Sequence, residues 1–142
     1  MQNTSILYPV FALAGWTAFV LTLMGVTRIG AALRGRVSPT DFRFGESANV
    51  PAGVCIPNRN YMNLLELPVL FYVVCLLLYA TRQHESVALF LAWAYVALRV
   101  AHSIVHLTYN NVIHRLIVFA ISNTVLLVLW VVAGLGLAAG SA

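Results

Sequence analysis

A chain of 142 residues that is 61% hydrophobic and only 8% charged, with a mean hydropathy of +0.89, lies outside the composition of water-soluble domains, in which about a quarter of residues are charged. Its net charge of +4 comes from eight arginines and no lysine, set against Asp41, Glu46, Glu66 and Glu85. Those arginines sit beside or inside apolar segments and show no RNA- or DNA-binding pattern, so they mark membrane topology and exclude a nucleic-acid partner. One domain over 1–142 is expected: an all-α integral membrane protein, a bundle of four transmembrane helices in contact with lipid.

The first helix is predicted at about 6–28, an apolar run of the length needed to cross roughly 30 Å of hydrocarbon. A cleaved signal peptide is the rival reading. It fits poorly, because Met1–Ser5 carries no positive charge and the apolar run exceeds a signal core. Residues 29–58 hold Arg34, Arg36, Arg43, Pro39, Pro51 and Pro57 with several glycines, which is loop composition with one helical turn at most. A loop of this length suits a lid over a site.

The second helix is predicted at 59–80, with Pro68 kinking it just past Glu66. Thr81–Glu85 is a short polar turn, and Ser86 is the expected N-cap of a third helix at 87–108. Tyr109, Asn110 and Asn111 form a tight connection to a fourth helix at 115–137, whose tail carries a Gly136-x-x-x-Gly140 spacing of the small-residue packing type. His84 and His114 fall at helix ends and read as interfacial. Arg28, Arg34, Arg36, Arg43, Arg59 and Arg115 gather at the ends joined by the first and third loops, and Arg82 alone marks the second. The positive-inside rule then puts loop 29–58 in the cytoplasm and both termini on the non-cytoplasmic side; in a bacterium this is the inner, plasma membrane.

Polar residues inside such helices need a reason, because a charge at a helix centre in the bilayer costs roughly 2.5–3.5 kcal/mol on insertion scales. Arg59, Asn63 and Glu66 fall within roughly 60° of one another around the second helix. Tyr95, Arg99, His102, His106 and Asn110 recur at steps of 4, 3, 4 and 4, again one face of a helix. Facing each other, the two stripes would bind a charged small molecule between helices. The plainer reading is a structural Glu66–Arg99 ion pair. His102 and His106 have a spacing that suits a metal, but no thiolate or second carboxylate accompanies them, so no metal site is assigned. Cys55 and Cys75 form no CxxC pair and read as packing residues.

The pattern Arg59-x-x-x-Asn63-x-x-Glu66, with proline two residues on, then Arg99-Val-Ala-His102-Ser103 and Arg115 sixteen residues after Arg99, resembles the MAPEG family, membrane-associated proteins in eicosanoid and glutathione metabolism. The Arg99–Arg115 stretch is most similar to the microsomal prostaglandin E synthase branch. The RxxxNxxE pattern is shared with microsomal glutathione transferases and leukotriene synthase. Leu67 replaces a tyrosine, His106 stands where many relatives have tyrosine, and Leu116 stands where the prostaglandin branch has serine.

The resemblance implies a homotrimer binding glutathione as co-substrate between protomers near the cytoplasmic face. Arg59, Asn63 and Glu66 would hold glutathione and Arg99 and His102 would support the pocket; Tyr95, His106 and Asn110 join the candidate glutathione site because they share the helix face of Arg99 and His102. Arg115 would be the catalytic residue that stabilises the thiolate, since a cation beside a thiol favours its charged form. The implied activity is a glutathione-dependent transferase or peroxidase acting on a lipophilic electrophile. The alternative is a non-catalytic membrane protein that binds a ligand, lipid or partner through the same stripe.

Overall fold

The computed structural model describes residues 4–83 and 86–140. The His84–Glu85 part of the expected polar turn, the interfacial reading of His84 and the charge-free Met1–Asn3 segment lie outside the described residues. Five α-helices are present: α1 (Leu7–Leu33), α2 (Ala52–Leu65), α3 (Pro68–Ala80), α4 (Ser86–Leu107) and α5 (Val112–Gly140). Helices α2 and α3 follow one another as a single span of the membrane, so the chain has four segments long and apolar enough to cross it.

Helix α1 runs five residues past the expected end at 28. Its stop signal is Gly35, at φ 65°, where the Gly35 amide donates to the Ala32 carbonyl at 2.9 Å and the Arg36 amide to that of Ala31 at 3.0 Å. This paired turn satisfies the last carbonyls of the helix and needs a residue that tolerates the left-handed region. Arg28, the expected last residue of the helix, lies well inside it. Its guanidinium bonds the Glu46 carboxylate at 3.3 Å and lies 4.7 Å from the centre of the Phe42 ring.

The connection from α1 to α2 is correspondingly shorter than 29–58, spanning 34–51, and it is ordered. A 3-10 turn at Pro39–Phe42 is capped by Asp41, whose carboxylate accepts from the Ser38 amide at 2.8 Å and from the hydroxyls of Ser47 at 2.8 Å and Ser38 at 3.0 Å. The Ser38 amide first, then the Ser47 and Ser38 hydroxyls, hold the Asp41 carboxyl below its ordinary value. Val37 and Val50 bury themselves with Ala31, Val54 and Cys55 in a small satellite core, with Phe42 packed against it. The loop is therefore a strap fastened to α1 and α2.

Helix α2 starts at Ala52, seven residues before the expected Arg59, because Pro51 in extended conformation feeds directly into it. Pro57, read as loop, is helical. The span breaks at Glu66 (φ −79°, ψ −95°) and restarts with Pro68 as the first residue of α3. Pro68 has no N–H for the helical ladder, so the expected kink is a full interruption. Helix α5 begins at Val112 rather than 115, capped by the Asn111 side chain, which accepts from the Ile113 and His114 amides at 3.0 and 3.1 Å.

The main core joins all five helices: Leu13 and Val20 of α1, Leu64 of α2, Phe71, Val74 and Leu78 of α3, Ala92 and Tyr95 of α4, and Leu129 and Ala133 of α5. Helix α4 packs along α5 over most of its length. Phe71 and Tyr95 stack with ring centres 4.7 Å apart, which ties α3 to α4 at the level where the polar residues begin.

Candidate functional site

The two polar stripes have different fates. On α4, Tyr95, Arg99, His102 and His106 all point inward and are buried. On α2 the inward face is Pro57, Asn60 and Leu64, and the Arg59–Asn63–Glu66 stripe lies roughly a third of the circumference away. Arg59 and Glu66 are exposed and Asn63 is half-buried. The stripes therefore do not face each other within one chain, and the Glu66–Arg99 ion pair does not form. Among the described residues the ion pair present is Arg28–Glu46.

Arg99 is 1% exposed and has no acidic partner among the described residues. Its Nε donates to the Tyr95 hydroxyl at 3.0 Å, its guanidinium lies 5.5 Å from the Tyr95 ring centre and 5.2 Å from that of Phe119, and neither Nη finds a hydrogen-bond acceptor. Two aromatic faces thus hold a buried cation that a carboxylate would ordinarily neutralise. Next to it, the Asn60 amide donates to the Ser103 hydroxyl at 2.6 Å across α2 and α4, with both residues at 0% exposure. Neither Asn60 nor Phe119 was singled out from sequence. Phe119 stands one turn after Arg115, a signal that was available; Asn60 is one residue from Arg59 but belongs to the leucine-bearing face.

Arg115, half-buried at the start of α5, donates through Nη1 to the Asn110 side-chain oxygen at 2.8 Å, and its Nε has no partner. Asn110 is in the left-handed region at φ 48° just after α4, a conformation that asparagine tolerates better than most residues. It thereby gains a task beyond the one its place on the polar stripe suggests: it orients Arg115. Asn63, His102, Arg115 and Phe119 line one outward-open cleft of about 260 Å³. Arg59 and Asn110 line a second, of about 330 Å³, beneath the strap residues Glu46 and Ser47. Arg59, His106 and Arg115 lie within electrostatic range of one another. Of the nine residues picked from sequence, Asn63, His102 and Arg115 share the first cleft and Arg59 and Asn110 the second; Tyr95, Arg99 and His106 form the buried support, and Glu66 faces outward.

The His102 and His106 rings meet edge to face, 6.0 Å between centres. No group of three metal-ligating side chains is present among the described residues. Both cysteines are buried and free.

These features define an integral, multi-pass membrane protein: a four-span helical bundle with a cleft, lined by Asn63, His102 and Arg115, opening outward at one end. Searches of curated proteins and of solved structures return no match. The family model described as MAPEG family matches residues 6–135, almost the whole chain, and the protein belongs to that family. The family includes glutathione transferases and related proteins, generally uses glutathione and is generally oligomeric.

Proposed function

We propose that the protein is a glutathione-dependent membrane transferase or peroxidase that ionises the thiol of glutathione and passes it to a lipophilic electrophile arriving through the bilayer. The observation that carries this reading is Arg115, held by Asn110 at the mouth of a cleft that Asn63 and His102 also line. Asn110 engages Nη1 alone, and a guanidinium has five N–H donors, so the group retains donors for an anionic sulfur.

The side chains suit the tripeptide. Glutathione brings two carboxylates, one ammonium and a thiol. Arg59 is a cation for a carboxylate, outward-facing Glu66 is the one acid on this stripe for the ammonium, and Asn63 offers an amide to the backbone. With Glu66 and Arg59 exposed, the full pocket needs a second surface. A homotrimer with glutathione at protomer boundaries supplies it, with the strap side cytoplasmic and both termini opposite. In the transferase reaction the thiol proton leaves to solvent, the sulfur forms a bond to the electrophilic carbon, and a leaving group such as chloride departs with the bonding pair.

The test is the ultraviolet absorbance of a thiolate when glutathione is added to purified protein. It should appear with the wild type and vanish in Arg115→Leu while calorimetry still records binding, because the interaction develops with the anion rather than the resting thiol. Binding without ionisation by the wild type would refute the enzyme reading in favour of a non-catalytic binding protein.

A further inference from the structure

A third cavity, of about 450 Å³, lies where the last two turns of α1 meet the first turn of α2. Val26, Gly30, Pro51 and Gly53 contribute to a largely apolar wall, and Arg34 and Arg36 stand at its rim. A side-chain carbon built on Gly30 or Gly53 would meet nothing within 4 Å, so the wall is open at both positions. The turn at Gly35 folds the Arg36 amide back onto the Ala31 carbonyl, which brings both arginines to the same edge.

Both arginines are exposed, and no hydrogen bond or ion pair engages either side chain among the described residues. Among the described residues, the acids available to neutralise them are committed or distant. Asp41 is bonded by Ser38 and Ser47, Glu46 by Arg28, and Glu66 follows the far end of α2. The apolar wall belongs to a helix that crosses the membrane, and the cations sit at that helix's end, where hydrocarbon gives way to headgroups. A water-soluble anion would use the arginines and leave the apolar wall wet. A phospholipid uses both.

The geometry points to a binding site for one anionic phospholipid, its phosphate between Arg34 and Arg36 and the start of an acyl chain along Val26 and Gly30. Each cation near an anionic headgroup contributes about fivefold to affinity, so the pair accounts for roughly thirtyfold. The site lies apart from the Arg115 cleft, with no lining residue in common.

Native mass spectrometry of the full chain from micelles holding equal amounts of phosphatidylglycerol and phosphatidylcholine tests this. One phosphatidylglycerol should be retained in preference. The double variant Arg34→Gln/Arg36→Gln should lose that preference by roughly thirtyfold, and Arg82→Gln, an exposed arginine elsewhere, should not. Gly30→Phe, which fills the groove and leaves the charges, should also expel the lipid; should it fail to fold, the arginine variants decide alone. Equal retention of the two lipids would overturn the proposal. So would displacement of phosphatidylglycerol by millimolar inorganic phosphate, which would make the occupant a free anion. Disulfide formation between copies carrying Gly53→Cys, in membranes, would give the groove to a second protomer instead.

Discussion

Replacing Asn110 by glycine separates the backbone task of this residue from its side-chain task. Glycine adopts φ 48° freely, so the turn between α4 and α5 survives and only the acceptor for Arg115 is lost. Alanine would confuse the two, because the left-handed conformation costs an ordinary residue about 1–2 kcal/mol. The lost bond, 2.8 Å from the Arg115 Nη1, has a charged donor, and such bonds contribute about 1.5–3 kcal/mol. Arg115 is only half-buried and water can take up part of the vacancy, so the low end applies. About 1.5 kcal/mol corresponds to roughly tenfold.

Asn110→Gly should therefore lower the thiolate fraction and the turnover of a small chlorinated aromatic about tenfold, with glutathione affinity changed by no more than about threefold. Stopped-flow absorbance and calorimetry on the same preparation measure both. Wild-type turnover in Asn110→Gly would show that Arg115 needs no orienting partner. Equal loss of binding and rate would show that Asn110 touches glutathione directly, as its place on the polar stripe suggests.

Glu66→Gln keeps the shape of an outward-facing side chain but removes its charge, so it should weaken glutathione binding by about 1–3 kcal/mol without altering monomer stability; unchanged calorimetry would remove Glu66 from the site. Ser103→Ala takes away the one partner of the buried Asn60 amide and should cost about 1–3 kcal/mol in detergent unfolding, whereas adding Asn60→Leu should recover part of it. Strict additivity would refute that coupling. The Asp41 carboxyl lies below its ordinary value of 3.8 in the fold, so its contribution is complete above that value and is lost as pH falls through the folded one. Protection of the Ser38 amide against hydrogen exchange, corrected for intrinsic rate, should follow this fall, and Asp41→Asn should abolish the pH dependence.

The inward stripe of α4 was legible because every one of its steps is 3 or 4, and polar residues so spaced in an apolar span have few places to go except inward. The orientation of α2 was not. Periodicity shows which residues share a face but not what that face meets, and Arg59, Asn63 and Glu66 share theirs whether they point to the bundle or away from it. The discriminating signal was the competing set Pro57, Asn60 and Leu64, continued by Phe71, Cys75 and Leu78 of α3. Breaking residues misled at the strap: Pro57 reads as loop by composition, yet it lies within α2. Helix α1 outruns its expected end at Arg28, whose partner Glu46, eighteen residues on, is brought beside it by the folded strap. That contact is tertiary and leaves no local trace.

The interruption at Glu66 makes the second span two rods joined by a two-residue joint. The rod bearing Arg59 and Asn63 is fastened to α1 through the strap and satellite core and enters the main core through Leu64, whereas α3 is locked into the main core by Phe71, Val74 and Leu78. A continuous helix would pass any tilt of one half to the other through its hydrogen-bond ladder. Here torsion at Glu66 and Leu67 absorbs it. The outward stripe is thus uncoupled from α3 through the backbone but not from α4: the rod that carries Arg59 and Asn63 also carries Asn60 and Leu64, so any tilt of the stripe is felt at the Ser103 hydroxyl beside Arg99.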